Sequence, residues 1–309
     1  MARKKITEKL KNGEILISDG AWGTFLHRKG LKPGECPELW CVEHPDDVFD
    51  IARSYIDAGA DMVKTNSFGG SSFMLERYGL SDRAAEINEA AVKISRQAAG
   101  DDKWVIACIG PTGKMLVTEE VTEEELYESF KAQAAAFEKS GADAVCIETM
   151  SDIEEACQAV KAVRENTKLE IICTFTFDKT LQGEYRTMMG ADPVSAMNAV
   201  IKAGADIVGT NCGNGMERMI EIVSQMRSAD RYIPILVHAN AGLPKNIGGE
   251  NVFPETPEDM AALAPKLAAA GANIIGGCCG TTPAHIKAIK EAINPLPGRR
   301  LELPYPCEH

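Results

Sequence analysis

The tetrapeptide Ala58-Gly59-Ala60-Asp61 returns three times along the chain, as Ser140-Gly-Ala-Asp143, Ala203-Gly-Ala-Asp206 and Ala270-Gly-Ala-Asn273. Each copy follows an amphipathic stretch and precedes a short apolar run. Glycine ends a helix cheaply because it takes the left-handed conformation without steric penalty. Each copy therefore reads as the point where a helix stops and a strand begins.

Working outward from these junctions, eight strands are predicted at Ile15–Ser18, Asp61–Thr65, Trp104–Ile109, Asp143–Glu148, Glu170–Thr176, Asp206–Thr210, Pro234–His238 and Asn273–Gly276. Helical patterns lie between them at Pro45–Ala58, Ser81–Ala99, Thr122–Ser140, Ser151–Asn166, Asp192–Ala203, Met216–Ser228, Thr256–Ala270 and Thr282–Ile293. Strands that alternate with helices imply βαβ units and a parallel sheet. The repeated turn enters every even-numbered strand. Four even strands entered in the same way, among eight, predict a single (β/α)8 TIM barrel of the α/β class rather than an open doubly wound sheet. No linker divides residues 1–309, and the tail 294–309, with four prolines and two arginines, is expected to be irregular.

Bulk properties narrow the function classes. The 309 residues are 45% hydrophobic, enough for a large core, and barrels of this length are commonly one domain. A net charge of −12 argues against nucleic acid or an anionic membrane as a partner. Ten cysteines without regular spacing do not form the framework of a secreted disulfide protein. The basic N-terminus lacks the apolar stretch of a signal peptide, and no segment reads as a membrane span. A cytoplasmic location, with reduced thiols, is expected.

Active sites of such barrels lie at the C-terminal ends of the strands. Those ends carry Asp19, Asn66 and Ser67, Gly110, Glu148 and Thr149, Thr176, Asn211 and Cys212, His238 and Asn240, and Cys278 with Cys279. Three soft thiolates at strand ends are the ligand set of a zinc ion with one open position, the pattern of a catalytic site. Cys212 belongs to strand six and the Cys278-Cys279 pair to strand eight, strands of one parity that contribute to the same interior layers. Adjacent strand residues point to opposite faces, but Gly276, Gly277 and Gly280 let the backbone bend as it leaves the sheet. The competing reading of the pair is a vicinal disulfide, strained and out of place in a reducing compartment.

These motifs resemble the homocysteine S-methyltransferase family over nearly the whole chain. The resemblance rests on Gly209-Thr-Asn-Cys212, Gly276-Gly-Cys-Cys-Gly-Thr-Thr-Pro283, Leu16-Ile-Ser-Asp-Gly-Ala-Trp-Gly-Thr24, Thr65-Asn-Ser-Phe-Gly69, Ile109-Gly-Pro-Thr-Gly113, Ile147-Glu-Thr149 and Val237-His-Ala-Asn-Ala-Gly-Leu-Pro244. Within the family the set is most similar to the homocysteine-binding module of cobalamin-dependent methionine synthases. The resemblance implies a (β/α)8 barrel with Cys212, Cys278 and Cys279 as zinc ligands, and methylation of homocysteine to methionine.

The chemistry agrees with the ligand set. A free thiol near pKa 8.5 is mostly protonated at neutral pH, and zinc would stabilise the nucleophilic thiolate of the acceptor. Asp19 and Glu148 are candidates to hold the ammonium of an amino-acid substrate, and the resemblance points the same way; the alternative, above all for Asp19 ahead of Gly20, is a helix cap or a buried hydrogen bond. Asn66 and Ser67, with nearby amides, are candidates for its carboxylate. His238, a lone histidine after an apolar run, reads more readily as a structural group than as a supporting one, and Asn211 and Asn240 read equally well as groups that orient loops. Cys108, Cys146 and Cys173 lie in apolar runs and read as small hydrophobes.

The methyl donor is expected to be a methylcorrinoid, methylcobalamin, on a separate protein, because the chain leaves no room for a cobalamin domain of its own. A small donor such as S-methylmethionine or betaine is the alternative. An aromatic cage for a quaternary ammonium is a sound cation–π device, but Thr65–Phe68 and Glu148–Met150 carry no tyrosine. From a different class, a thiol-redox protein would cycle Cys278 and Cys279 with Cys212.

Overall fold

In the computed structural model, which describes residues 4–248 and 250–296, eight parallel strands form a nearly closed barrel inside a ring of helices. The strands are β1 (Leu16–Ile17), β2 (Met62–Lys64), β3 (Trp104–Ile109), β4 (Ala144–Met150), β5 (Glu170–Phe175), β6 (Ile207–Asn211), β7 (Ile235–Ala239) and β8 (Ile274–Gly277). Pairing runs in sequence order from β2 to β8, and β8 pairs with β1. The outer helices are α1 (Pro45–Asp57), α2 (Ala84–Ala99), α3 (Glu123–Lys139), α4 (Ile153–Asn166), α5 (Pro193–Ala203), α6 (Met216–Ala229), α7 (Pro257–Ala270) and α8 (Pro283–Ile293). The predicted (β/α)8 barrel is therefore the observed fold, with element ends displaced by a residue or two. Ser81–Arg83, expected to open α2, is a 3-10 turn ahead of it. Of the C-terminal tail, residues 297–309 lie outside the described residues.

The repeated tetrapeptide does more than end helices. Its four glycines, Gly59, Gly141, Gly204 and Gly271, all take positive φ. The residue two positions on then brackets the preceding odd strand. The Asp61 amide donates to Ile17 O at 2.7 Å while Ile17 N donates to Asp61 Oδ2 at 2.9 Å. The same exchange joins Asp143 to Val105, Asp206 to Ile171 and Asn273 to Ile235. A cation from the helix before each strand pair completes the bracket: Lys290 on Asp61, Arg96 on Asp143, Arg164 on Asp206 and Arg227 on Asn273. The seam between β1 and β2 is closed by the first of these brackets and by Lys64 N donating to Asp19 Oδ2 at 2.8 Å.

Alternation along the strands sorts the barrel interior into layers. The lower layer is apolar, with Leu16, Met62, Ile106, Cys146, Ile172, Ile207, Leu236 and Ile274 in one buried cluster. Ile6 and Leu10 of a short helix, Ile6–Lys11, join that cluster and close the bottom. Glu170 accepts from the Ile6 and Thr7 amides at 2.6 and 3.0 Å, an acid placed on the helix N-terminus. Two residues further along each strand, the layer becomes Ser18, Lys64, Cys108, Glu148, Thr174, Gly209, His238 and Gly276. The barrel thus changes from oil to polar groups within one layer.

Gly209 belongs to this second layer for want of space. A Cβ there would lie 1.9 Å from the Leu236 carbonyl oxygen, a backbone atom that cannot move aside. Gly209→Ala is expected to destabilise the barrel by about 3 kcal/mol through overpacking. The check is the urea midpoint; an unchanged midpoint would show that β6 and β7 can part without cost.

Candidate thiol and metal site at the barrel mouth

The polar layer continues upward into a pocket of about 300 Å³ at the C-terminal mouth. Its wall includes Trp22, Lys64, Asn66, Phe68, Cys108, Glu148, Thr149 and Asn211, with Cys212, Cys278 and Cys279 on one side. The three sulfurs lie within 4.8 Å of one another, the one such cluster of potential metal ligands among the described residues. Cys212 Sγ and Cys279 Sγ are 3.9 Å apart.

Local backbone geometry brings the thiols together. Cys212 follows β6 in the left-handed region, φ 58°, unusual for a residue with a Cβ. Its amide donates to His238 O at 3.0 Å, and its carbonyl accepts from Asn214 N at 2.8 Å. Cys278 and Cys279 follow the end of β8, so the alternation of a strand no longer applies to them. The Cys278 amide donates to Ala239 O at 2.7 Å, and the Cys278 carbonyl accepts from the Thr281 hydroxyl at 2.7 Å. Ala241 N fixes the Cys279 carbonyl at 3.0 Å. The neighbouring thiols, donating to Cys212, pull its pKa down. The same sharing with Cys212 pushes Cys278 and Cys279 up.

Opposite the thiols stands a buried ion pair. Lys64 Nζ lies 3.1 Å from Glu148 Oε2 and 3.4 Å from Oε1, and both residues are 5% exposed. Cys108 donates to Glu148 Oε1 at 2.6 Å, and His238 Nδ1 stands 3.8 Å from Oε2. Burial alone would raise the Glu148 carboxyl, but the Lys64 ammonium and the groups around it hold it at about 2. Burial alone would lower Lys64, yet Glu148 and Asp19 keep it well above its ordinary value. Glu148 reaches this place through an irregularity in the β4–β5 register between Ile147 and Met150, next to Thr149 at φ 65°. Asn211 Oδ1 accepts from Thr149 N at 2.8 Å and Thr174 Oγ1 at 2.7 Å, and so clamps that bulge.

The remaining expected site residues divide between wall and support. Asn66 is on the wall, its amide donating to Pro37 O at 2.7 Å. Ser67 is fully buried behind it, bonded to Thr65 Oγ1 and to Cys108 O. Asp19 is also fully buried, and Asp19 Oδ2 accepts from Trp22 Nε1 and Lys64 N, both at 2.8 Å. Burial pushes the Asp19 carboxyl up, against the pull of Lys64. Sequence reasoning passed over Lys64 and placed Cys108 among the small hydrophobes. The signal for Lys64 was present, a lysine inside the apolar run Met62-Val63-Lys64 that leads into a polar rim.

Fold and site together define a class: an α/β-barrel enzyme with a cysteine cluster at its C-terminal mouth. The chain belongs to the homocysteine S-methyltransferase family, whose model matches residues 16–293. It is 30% identical over 298 residues to methionine synthase of Mycobacterium tuberculosis, covering 90% of this chain and 24% of that protein. The Mycobacterium leprae methionine synthase is similar to the same degree. The chain thus spans about a quarter of the length of these curated relatives. Among solved structures, the metallated form of the Escherichia coli homocysteine methyltransferase MmuM superposes with a TM-score of 0.76 at 22% identity, over 92% of this chain and 98% of that one. That likeness supports the fold.

Proposed function

We propose that the chain is a zinc-dependent S-methyltransferase that takes homocysteine or a close thiol as acceptor, with Cys212, Cys278 and Cys279 as the metal ligands. The observation that carries this reading is the convergence of the three sulfurs. A tetrahedral zinc with bonds of about 2.3 Å keeps its sulfurs about 3.8 Å apart, and Cys212 and Cys279 are already 3.9 Å apart. Zinc held by three thiolates supplies Lewis acidity at an open position, where an entering thiol would lose its proton more readily. The protein's own part is to hold the thiols by backbone hydrogen bonds, to orient the acceptor across the pocket, and to cover it with Trp22 and Phe68. In the transfer the acceptor sulfur loses a proton and gains a methyl group, and the electron pair of the broken bond stays with the donor.

The donor fits a methylcorrinoid carried on protein other than this barrel. Nine of the ten exposed large hydrophobic side chains among the described residues lie on segments that follow strand C-termini, among them Phe68, Met115, Val117, Leu181, Met188 and Leu243. An apolar rim around the mouth suits a macromolecular donor better than a small cation, for which an aromatic cage would be expected. No helix among the described residues is long and apolar enough to cross a membrane.

The test is zinc content per chain, with X-ray absorption at the zinc edge before and after saturating homocysteine. About one zinc per chain whose shell gains a sulfur is the expected result. Protein purified without chelator or oxidant that holds no zinc, and forms a reversible disulfide instead, would replace this reading with thiol-redox chemistry.

A further inference from the structure

The pocket holds an ammonium of its own. Lys64 Nζ already occupies Glu148, the wall carboxylate that would otherwise receive the α-ammonium of an amino-acid thiol. Both carboxylate oxygens are engaged from inside the barrel, Oε1 by Cys108 and Lys64, Oε2 by Lys64 with His238 beyond it. The second carboxylate, Asp19, is fully buried and committed to Trp22 Nε1 and the Lys64 amide. An incoming ammonium would have to share Glu148 with a like charge in a site shielded from water, where repulsion is weakly screened. An incoming carboxylate meets the opposite condition. Lys64 lines the cavity, and an ammonium has three donors, of which Glu148 takes two.

Resting on the thiol-methyltransferase reading, we infer that Lys64 sets acceptor specificity: the pocket selects a small anionic thiol without an α-ammonium, a mercaptoalkanoate, over homocysteine itself. In this arrangement the acceptor's sulfur faces the cysteine cluster and its carboxylate faces Lys64. Glu148 serves to hold Lys64 in place and to balance its charge.

The matched probes are homocysteine and 4-mercaptobutanoate, which differ only by the amino group. Their binding to the zinc-loaded protein is measured by calorimetry, together with the gain of sulfur at the zinc edge. The desamino thiol is expected to bind at least tenfold tighter than homocysteine. In the double variant Lys64→Met/Glu148→Gln, which removes both charges of the pair, that preference should fall at least tenfold, to near parity.

Equal affinities, or tighter homocysteine binding, in the native protein would overturn the inference while leaving thiol transfer intact. A preference unchanged in the double variant would remove Lys64 as its source and make the ion pair a purely structural feature. If neither thiol adds sulfur to the metal shell, the methyltransferase reading fails, and the inference with it.

Discussion

Replacing Cys212 by alanine is expected to leave a folded barrel that no longer retains zinc. Removing a group that merely supports a metal ligand typically costs 10- to 100-fold in affinity, so loss of one of the three proposed ligands should cost more than about 100-fold. The fold should survive because Cys212 is half-buried at the rim and belongs to none of the hydrophobic clusters. Its structural hydrogen bonds run through its backbone amide and carbonyl, which alanine keeps. Metal content and thiol methylation should fall together while the unfolding midpoint stays near the native value. An active, metal-replete Cys212→Ala protein would take Cys212 out of the site.

A second large effect is expected from Lys64→Met, this time on stability. Removing one partner of a buried ion pair strands the other charge, at a cost of roughly 3–5 kcal/mol. Lys64→Met/Glu148→Gln should recover most of that loss, because two neutral side chains of similar volume need no counter-charge. The pH dependence has a definite sign. The folded pKa of Glu148 is depressed to about 2, so its contribution is full above its ordinary value of 4.5 and is lost as pH falls towards 2. Lys64 is raised, so its contribution is full below 10.5 and is lost only as pH rises beyond that. From these two groups alone the stability gap between the native protein and the double variant should be level from pH 5 to about 9 and change below 4.5. Asp19 and His238, both coupled to Lys64, are the groups that a change in between would reveal. Unfolding midpoints across that range decide the matter, and a gap that changed between pH 6 and 8 would implicate another group.

Much of this architecture was legible because its signals are local. The Gly-Ala-Asp turns mark the even strands through backbone conformation, and the apolar runs mark the barrel wall through burial on both faces. The three cysteines were legible as a cluster because barrel topology brings the C-terminal ends of strands to one rim. Groups whose meaning depends on a distant partner were hidden. Lys64 and Glu148 are 84 residues apart, and nothing in either segment announces that they touch. Cys108 looked like its neighbours in β3 until alternation placed it in the polar layer against Glu148. The short helix Ile6–Lys11 went unread for a similar reason: its cap, Glu170, is 164 residues away.

The four brackets also imply an order of assembly. Arg96–Asp143, Arg164–Asp206 and Arg227–Asn273 join residues 47, 42 and 46 positions apart, so each can form as soon as the intervening strand and helix have been made. Lys290–Asp61 spans 229 positions and must wait for α8. Loop-closure entropy penalises that contact most, so the ring should zip forward from β3 and shut last at the β1–β2 seam. Cutting the chain between α2 and β3 and joining its two ends would exchange these roles. Lys290–Asp61 would become a short-range contact, Arg96–Asp143 the long-range one, and the last-closing seam would move a quarter-turn around the barrel.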